Sequence, residues 1–161
     1  MHKLLSITLT LLALAPTCLR AADAPAAPAA KTTRNADILE PVWQELEGRV
    51  STLIGKEKQH AMVDLAYAEV AADVCKTMVV EKKTYFDDLS SLITDTKTKR
   101  SPEEQVDFEH NVMVYLGVYI GLIVAESHMD SGVFCQDAQK AWTEKRGPGR
   151  LWTAAPATTT K

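Results

Sequence analysis

The chain has 161 residues, of which 46% are hydrophobic and 24% are charged, and its formal net charge at neutral pH is −3. This composition excludes a collagen-like or wholly disordered chain and fits one globular domain with a core of its own. The slight acidity argues against nucleic acid as a partner, because DNA and RNA attract basic surfaces.

Residues 1–21 have the pattern of a secretory signal peptide. A basic start precedes an apolar run from Leu4 to Ala15, and small residues follow up to Ala21. The run has about a dozen residues, too few for the roughly 20 that a membrane span requires. We therefore predict cleavage after Ala21 and a periplasmic mature chain without a transmembrane span. Lipid attachment at Cys18 is the less favoured alternative.

Low-complexity segments flank the central part of the chain. Residues 22–36 are rich in Ala and contain two prolines, which predicts a disordered linker. Residues 147–161 are similar, and we predict a disordered tail there. Leu151 and Trp152 are the apolar exception in this tail. They either fold back onto the domain, which we favour, or form a short interaction motif for a partner.

The segment 37–146 has helical spacing throughout and no alternation of period two, which predicts an all-α, up-down bundle of about four helices. The first helix is expected to run from Asp37 to Ile54, with Gly55 as its stop. The second is unusually long, because residues 57–94 contain neither Gly nor Pro and keep one apolar stripe in register. A bend near Lys82 is the alternative to one continuous helix, because Lys82 occupies a position where the apolar stripe calls for an apolar residue.

A third helix begins with the strongest local signal in the chain. Ser101 is a suitable N-cap, Pro102 fits the first helical position, and Glu104 completes a capping box. Residues 112–125 are apolar on every side, so we expect this to be the central buried helix of the bundle. The last helix is predicted to begin after residues 130–132.

Two glycines in the third helix form a small-x-x-x-small step. Gly117 and Gly121 lie four residues apart, so both face the same side of the helix. Such a step lets a neighbouring helix approach closely, and we list both glycines as interaction residues. Packing inside a soluble bundle is favoured here over dimerisation in a membrane.

Two cysteines remain once Cys18 leaves with the signal peptide. Measured from the loop at residues 95–101, Cys75 lies about 29 Å along the second helix and Cys135 returns to about 33 Å along the last. The two sulfur atoms therefore fall within one turn of each other. An even pair in an oxidising compartment predicts a structural Cys75–Cys135 disulfide.

Histidines near methionines are the candidate metal ligands. His110, Met113, His128 and Met129 form the weak candidate set, but His110 and His128 lie about 12 Å and 39 Å from the same loop. His60 is still farther along. One ion cannot bridge such distances within a chain, so we predict no metal and no cofactor.

No catalytic motif emerges, and we therefore predict that the protein is not an enzyme. The expected function is protein–protein contact in the periplasm or envelope, as a chaperone, an adaptor or an inhibitor or immunity-type factor, with a homodimer possible. A metal or haem carrier using His and Met is the alternative, and an envelope-assembly factor is the second. In plan, with a signal, a helical body and one cystine, the chain resembles the periplasmic acid-stress chaperones.

Overall fold

The computed structural model describes residues 36–94 and 98–156. The predicted signal peptide, Cys18, nearly all of the predicted linker and the last five residues lie outside this part of the chain. The described elements are, in chain order, α1 (Ala36–Ile54), α2 (Lys56–Cys75), β1 (Met78–Val80), α3 (Lys82–Ile93), α4 (Pro102–Met129), α5 (Ser131–Glu144), the 3₁₀ helix Gly147–Leu151 and β2 (Trp152–Ala154). The protein is thus mostly helical, but a four-helix up-down bundle is not confirmed.

The first helix and the start of the third expected helix match the sequence signals. α1 ends at Ile54, and Gly55 has a φ of 84°, a backbone conformation that glycine adopts without strain. At the start of α4, Glu104 N–H donates to the Ser101 hydroxyl, and Ser101 N–H donates to the Glu104 carboxylate at 2.7 Å. Both ends are decided by local hydrogen bonds and backbone preference, so their sequence signals are reliable.

The prediction of one long helix over residues 57–94 is wrong. α2 ends at Cys75, and Lys76 follows with a left-handed φ of 58°. Three residues of strand intervene before Glu81 caps α3, where its carboxylate accepts the backbone N–H groups of Lys83 and Thr84. The break therefore needs neither Gly nor Pro. Strand pairing and the Glu81 cap supply hydrogen-bond partners for backbone groups that have none within a helix.

The prediction of a disordered tail over residues 147–161 is also wrong for its first part. β2 pairs antiparallel with β1, with Met78 opposite Ala154 and Val80 opposite Trp152. Gly149 lies so close to α5 that a Cβ there would come within 1.9 Å of the Ala141 carbonyl oxygen. The fold-back is favourable because it both buries apolar side chains and pairs the backbone of β2 with that of β1.

The central helix is α2, and the expectation that α4 is central is wrong. α2 packs against α1, α3, α4 and α5 as well as the 3₁₀ helix. Its small and apolar side chains reach full burial and let these neighbours approach closely, notably Met62, Leu65, Ala66, Ala68 and Ala71. α4 instead lies at the periphery, with one side on the core and the other in solvent.

The disulfide prediction is confirmed. Cys75, the last residue of α2, is bonded to Cys135 in the second turn of α5, with their Cα atoms 5.5 Å apart. The bond joins residues 60 positions apart in the chain. It therefore ties the end of the central helix, and not the middle of a long one, to the last helix.

Candidate interaction surface

One side of α4 is apolar and exposed. Val112, Leu116, Tyr119 and Ile123 face the core and are almost fully buried. The opposite side carries large apolar side chains that are 37–65% exposed, namely Val106, Met113, Val114, Val118 and Val124. Within the described residues α4 is the one helix long and apolar enough to cross a membrane by length and composition, and 28% of its most apolar window is buried.

The two glycines singled out in the sequence lie on this exposed side. A Cβ built on Gly117 or on Gly121 would meet nothing within 4 Å. No helix among residues 36–94 and 98–156 therefore uses the small-x-x-x-small step, contrary to the expectation of tight packing inside the bundle. Residues 112–125 of α4 are apolar on every side, so the sequence could not indicate which side the core would leave open.

An apolar groove runs beside this helix, between α4 and α3. We call it the α3–α4 groove, and its volume is about 590 Å³. Its floor and walls are mostly aliphatic and aromatic side chains, chiefly Val79, Val80, Tyr85, Phe86, Met113 and Ile120. Phe86 is 59% exposed and Met113 is 48% exposed, which is a high exposure for such large apolar side chains. A groove of this kind suits an apolar segment of another molecule.

Charged groups mark the rim of the α3–α4 groove. Glu69 on α2 and Lys82 on α3 both line it and are both exposed. The ring of Tyr85 meets that of Phe86 edge-on at 5.9 Å. Burial raises the pKa of Tyr85, and the carboxylate of Glu69 raises it further. The phenol therefore stays neutral at physiological pH and can donate a hydrogen bond to an occupant.

The candidate metal ligands do not converge. His110, Met113, His128 and Met129 are all exposed on α4, and the two histidines are 18 residues, or about 27 Å, apart along the helix. His60 belongs to α2, where it lies close enough to Asp64 to affect that carboxyl. Over residues 36–94 and 98–156, no group of three or more His, Cys, Asp or Glu side chains is arranged to hold a metal ion.

A polar cluster holds the C-terminal segment against the helices. Arg150, in the 3₁₀ helix, forms an ion pair with Asp88 on α3. Burial raises the pKa of Asp64 on α2, while Arg150 and His60 act in the opposite direction. The cluster joins α2, α3 and the 3₁₀ helix, which makes an anchoring role its simplest interpretation.

The sequence pattern did not reveal the α3–α4 groove. For Leu151 and Trp152 the favoured interpretation, a fold-back onto the domain, agrees with their burial, whereas the alternative of an exposed interaction motif does not. These two side chains are 0% and 3% exposed, so they are core residues in the described structure. The sequence signal that points to the groove is Tyr85–Phe86, an aromatic pair in which only one ring can fit the apolar stripe of a helix.

The fold and this surface define a class, a small and mostly helical domain held by one cystine and carrying an open apolar groove. No family model, no curated protein and no solved structure matches the chain. Function must therefore be argued from the residues themselves.

Proposed function

We propose that this protein is exported to the periplasm and works there, without catalysis, by protein–protein contact. In this proposal the α3–α4 groove receives an apolar segment of another exported protein, as in a chaperone, an adaptor or an inhibitor. The observation that carries the proposal is the exposure of Phe86 and Met113 at the mouth of an otherwise apolar groove. In a free monomer these apolar side chains are exposed to water, which is unfavourable. A partner that covers them removes this apolar surface from water, which favours binding.

The rim of the groove fits a peptide better than a small metabolite. In a small-molecule site, several polar groups of the protein typically point toward the same part of the ligand. Here Glu69 and Lys82 lie at the rim, and the interior offers the phenol of Tyr85 among apolar walls. This arrangement favours an occupant with apolar side chains and polar ends, which describes a chain segment.

The cystine supports an oxidising compartment. Structural disulfides persist in secreted and periplasmic proteins and are rare in the cytosol, where thiols are kept reduced. Together with the predicted signal peptide at residues 1–21, the Cys75–Cys135 bond favours export.

Site-specific photo-crosslinking tests the proposal. A photoreactive phenylalanine analogue placed at Phe86 is expected to form adducts with other exported proteins in living cells. The matched control is Val133 on α5, which is 53% exposed but does not line the groove, and no adduct is expected there. Met113→Ser should abolish the adducts at Phe86, since it removes an apolar wall without filling the groove.

The same experiment separates the roles within the class. One discrete adduct would indicate an adaptor or an inhibitor, whereas a spread of adducts that grows under unfolding stress would indicate a chaperone. Adducts of equal yield at positions 86 and 133 would refute the groove as the contact site.

A further inference from the structure

The exposed side of α4 carries two glycines that nothing in the described part of the chain requires. Glycine is among the least favoured residues inside a helix, because it loses the most backbone freedom on folding. Gly117 and Gly121 have helical backbones, and a Cβ at either would meet no atom within 4 Å. The absence of side chains thus serves no packing among the residues that the structure describes, but it would allow the backbone of another helix to approach closely.

The residues around these glycines form a palindrome. The exposed stripe reads His110, Val114, Gly117, Gly121, Val124 and His128, at successive steps of four, three, four, three and four residues. Its 18-residue length equals five helical turns, so the stripe runs straight along the helix axis for about 27 Å. Residue types and spacing are both symmetric about position 119. We call this stripe the glycine face.

A symmetric stripe is complementary to itself in the antiparallel orientation. If two copies of α4 cross at position 119 about a twofold axis, Gly117 of each copy faces Gly121 of the other, and all four glycines meet where the helices are closest. Val114 then faces Val124, and His110 faces His128. In a twofold interface each such pair occurs twice, so the same favourable contacts are used on both sides of the axis.

Covering the glycine face buries no unpaired charge. Between His110 and His128 the single charged residue is Glu126. Its half-buried carboxylate accepts a hydrogen bond from the indole N–H of Trp43 on α1 at 2.5 Å, so Glu126 reaches toward α1 and does not belong to the glycine face. The desolvation cost that usually opposes burial of a charged surface is therefore small here.

We propose that the glycine face is a homodimer interface in which two copies of α4 pack antiparallel with their closest approach at Gly117 and Gly121. The contact area sets the strength of this dimer. A helix about 10 Å wide covered over about 27 Å offers a few hundred Å² per copy, below the roughly 800 Å² per copy of a standard stable interface. The dimer is thus reversible and forms at micromolar or higher concentration.

Steric block of the close approach is the first test. Gly117→Leu with Gly121→Leu introduces side chains that have room within the chain, and leucine favours the helix. Sedimentation velocity of the full oxidised chain is expected to show a monomer–dimer equilibrium for the parent and a dissociation constant at least about 30-fold weaker for the double variant. Gly48→Leu is the matched control, because Gly48 lies in α1 and equally has nothing within 4 Å of a Cβ. Its dimerisation should equal that of the parent.

Orientation is tested by cross-linking with a short bis-maleimide, in a Cys18→Ser background. In the antiparallel dimer a chain carrying Val114→Cys is expected to cross-link to a chain carrying Val124→Cys. Two chains that both carry Val114→Cys are not expected to cross-link, because their cysteines lie ten residues, or about 15 Å, apart along the antiparallel helices. The reverse result would mean a parallel dimer and would overturn the proposal.

Other outcomes also overturn it. A parent chain that stays monomeric up to about 0.5 mM, well beyond the range of a weak interface, refutes a homodimer. So does a Leu double variant that dimerises like the parent. If the parent floats with phosphatidylcholine–phosphatidylglycerol vesicles and the double variant does so equally, the exposed side of α4 binds lipid and the glycines have no role in pairing.

Discussion

The indole N–H of Trp152 donates a hydrogen bond to the backbone carbonyl of Ala68 at 2.9 Å, across 84 residues of sequence. The ring of Tyr67 lies 6.1 Å from the indole and 4.9 Å from the ring of Phe134. The C-terminal segment is thereby held on the central helix by a buried aromatic residue whose polar atom is satisfied. Leu151 and Trp152 are therefore part of the core, and removal of the segment that carries them should affect the whole fold.

Trp152→Ala should destabilise the protein severely. Truncating a buried aromatic side chain usually costs about 3–5 kcal/mol in free energy of unfolding, because apolar contacts are lost and a cavity remains. Trp152→Phe should cost less, since it keeps an aromatic ring and loses the bond to Ala68. Urea unfolding monitored by circular dichroism measures both. Thr153→Ala, an exposed change in the same strand, is the control, and an equal cost for it would contradict the anchoring role.

Loss of the disulfide should lower the free energy of unfolding without abolishing the helices. The Cys75–Cys135 bond closes a loop of 60 residues, for which the chain-entropy account gives about 4 kcal/mol, an upper-end figure. Cys75→Ser with Cys135→Ser is expected to reduce the urea midpoint strongly. Dithiothreitol should have the same effect on the parent and none on the double variant. A reductant effect on both would indicate that another bond is involved.

Gly149→Ala should unfold the C-terminal segment, because its Cβ would lie 1.9 Å from the Ala141 carbonyl oxygen and the backbone cannot yield that far. We expect a loss of several kcal/mol, comparable with other severe core changes. Gly48→Ala is the matched control in the interior of α1, where a Cβ meets nothing within 4 Å. It should stabilise the protein by about 0.5–1 kcal/mol. Thermal unfolding of both variants gives the comparison.

Asp64 should make the protein less stable as the pH rises. Burial raises the pKa of this carboxyl above its ordinary value of 3.8, against the opposing effects of Arg150 and His60. Between the ordinary and the raised pKa the folded state binds more protons than the unfolded state. The free energy of unfolding attributable to Asp64 therefore falls with increasing pH in this window and is constant above the raised pKa.

Asp64→Asn removes this contribution. Measured by urea unfolding from about pH 4 to about pH 7, the variant should gain stability relative to the parent as the pH rises. Asp73→Asn is the control for an exposed carboxyl, whose pKa is lowered by the hydrogen bond and charge of Lys76. Its effect has the opposite sign but falls below the ordinary pKa of 3.8, so from about pH 4 to about pH 7 this variant should keep a nearly constant stability relative to the parent. Parallel profiles for the parent and Asp64→Asn would contradict the burial argument.

Local signals predicted the features that depend on neighbouring residues. The capping box at Ser101 and Glu104, the stop at Gly55 and the helical spacing of α1 were all visible, because each is stabilised within one or two turns of chain. The cystine was also predictable, because only Cys75 and Cys135 remain after the predicted cleavage. The helix-length estimate that supported the pairing assumed a continuous helix over residues 57–94, which the structure does not contain.

The break after Cys75 was not predictable in the same way. Residues 76–81 lack Gly and Pro, and their apolar residues continue the register of α2. β1 exists because its partner strand, some seventy residues later, offers backbone groups to pair with. No window of sequence around Met78 contains that partner.

The interaction surface depends on tertiary structure even more than the break after Cys75 does. Residues 112–125 of α4 are apolar on every side, so the sequence of this helix is compatible with full burial, with a membrane span or with a contact face. Which side the core covers is decided by where α2 lies, and only this choice exposes Gly117, Gly121 and the α3–α4 groove.

The amino-acid sequence by itself determined that the chain is helical, where several helices begin and end, and which two sulfur atoms can join. Short-range hydrogen bonds and helical periodicity are encoded within a few residues, so these features can be read locally. Tertiary structure alone decided that α2 is central, that Trp152 closes the core and that one side of α4 stays in solvent. Those features arise because distant segments compete to cover the same apolar surface, and the outcome depends on how all of them pack together.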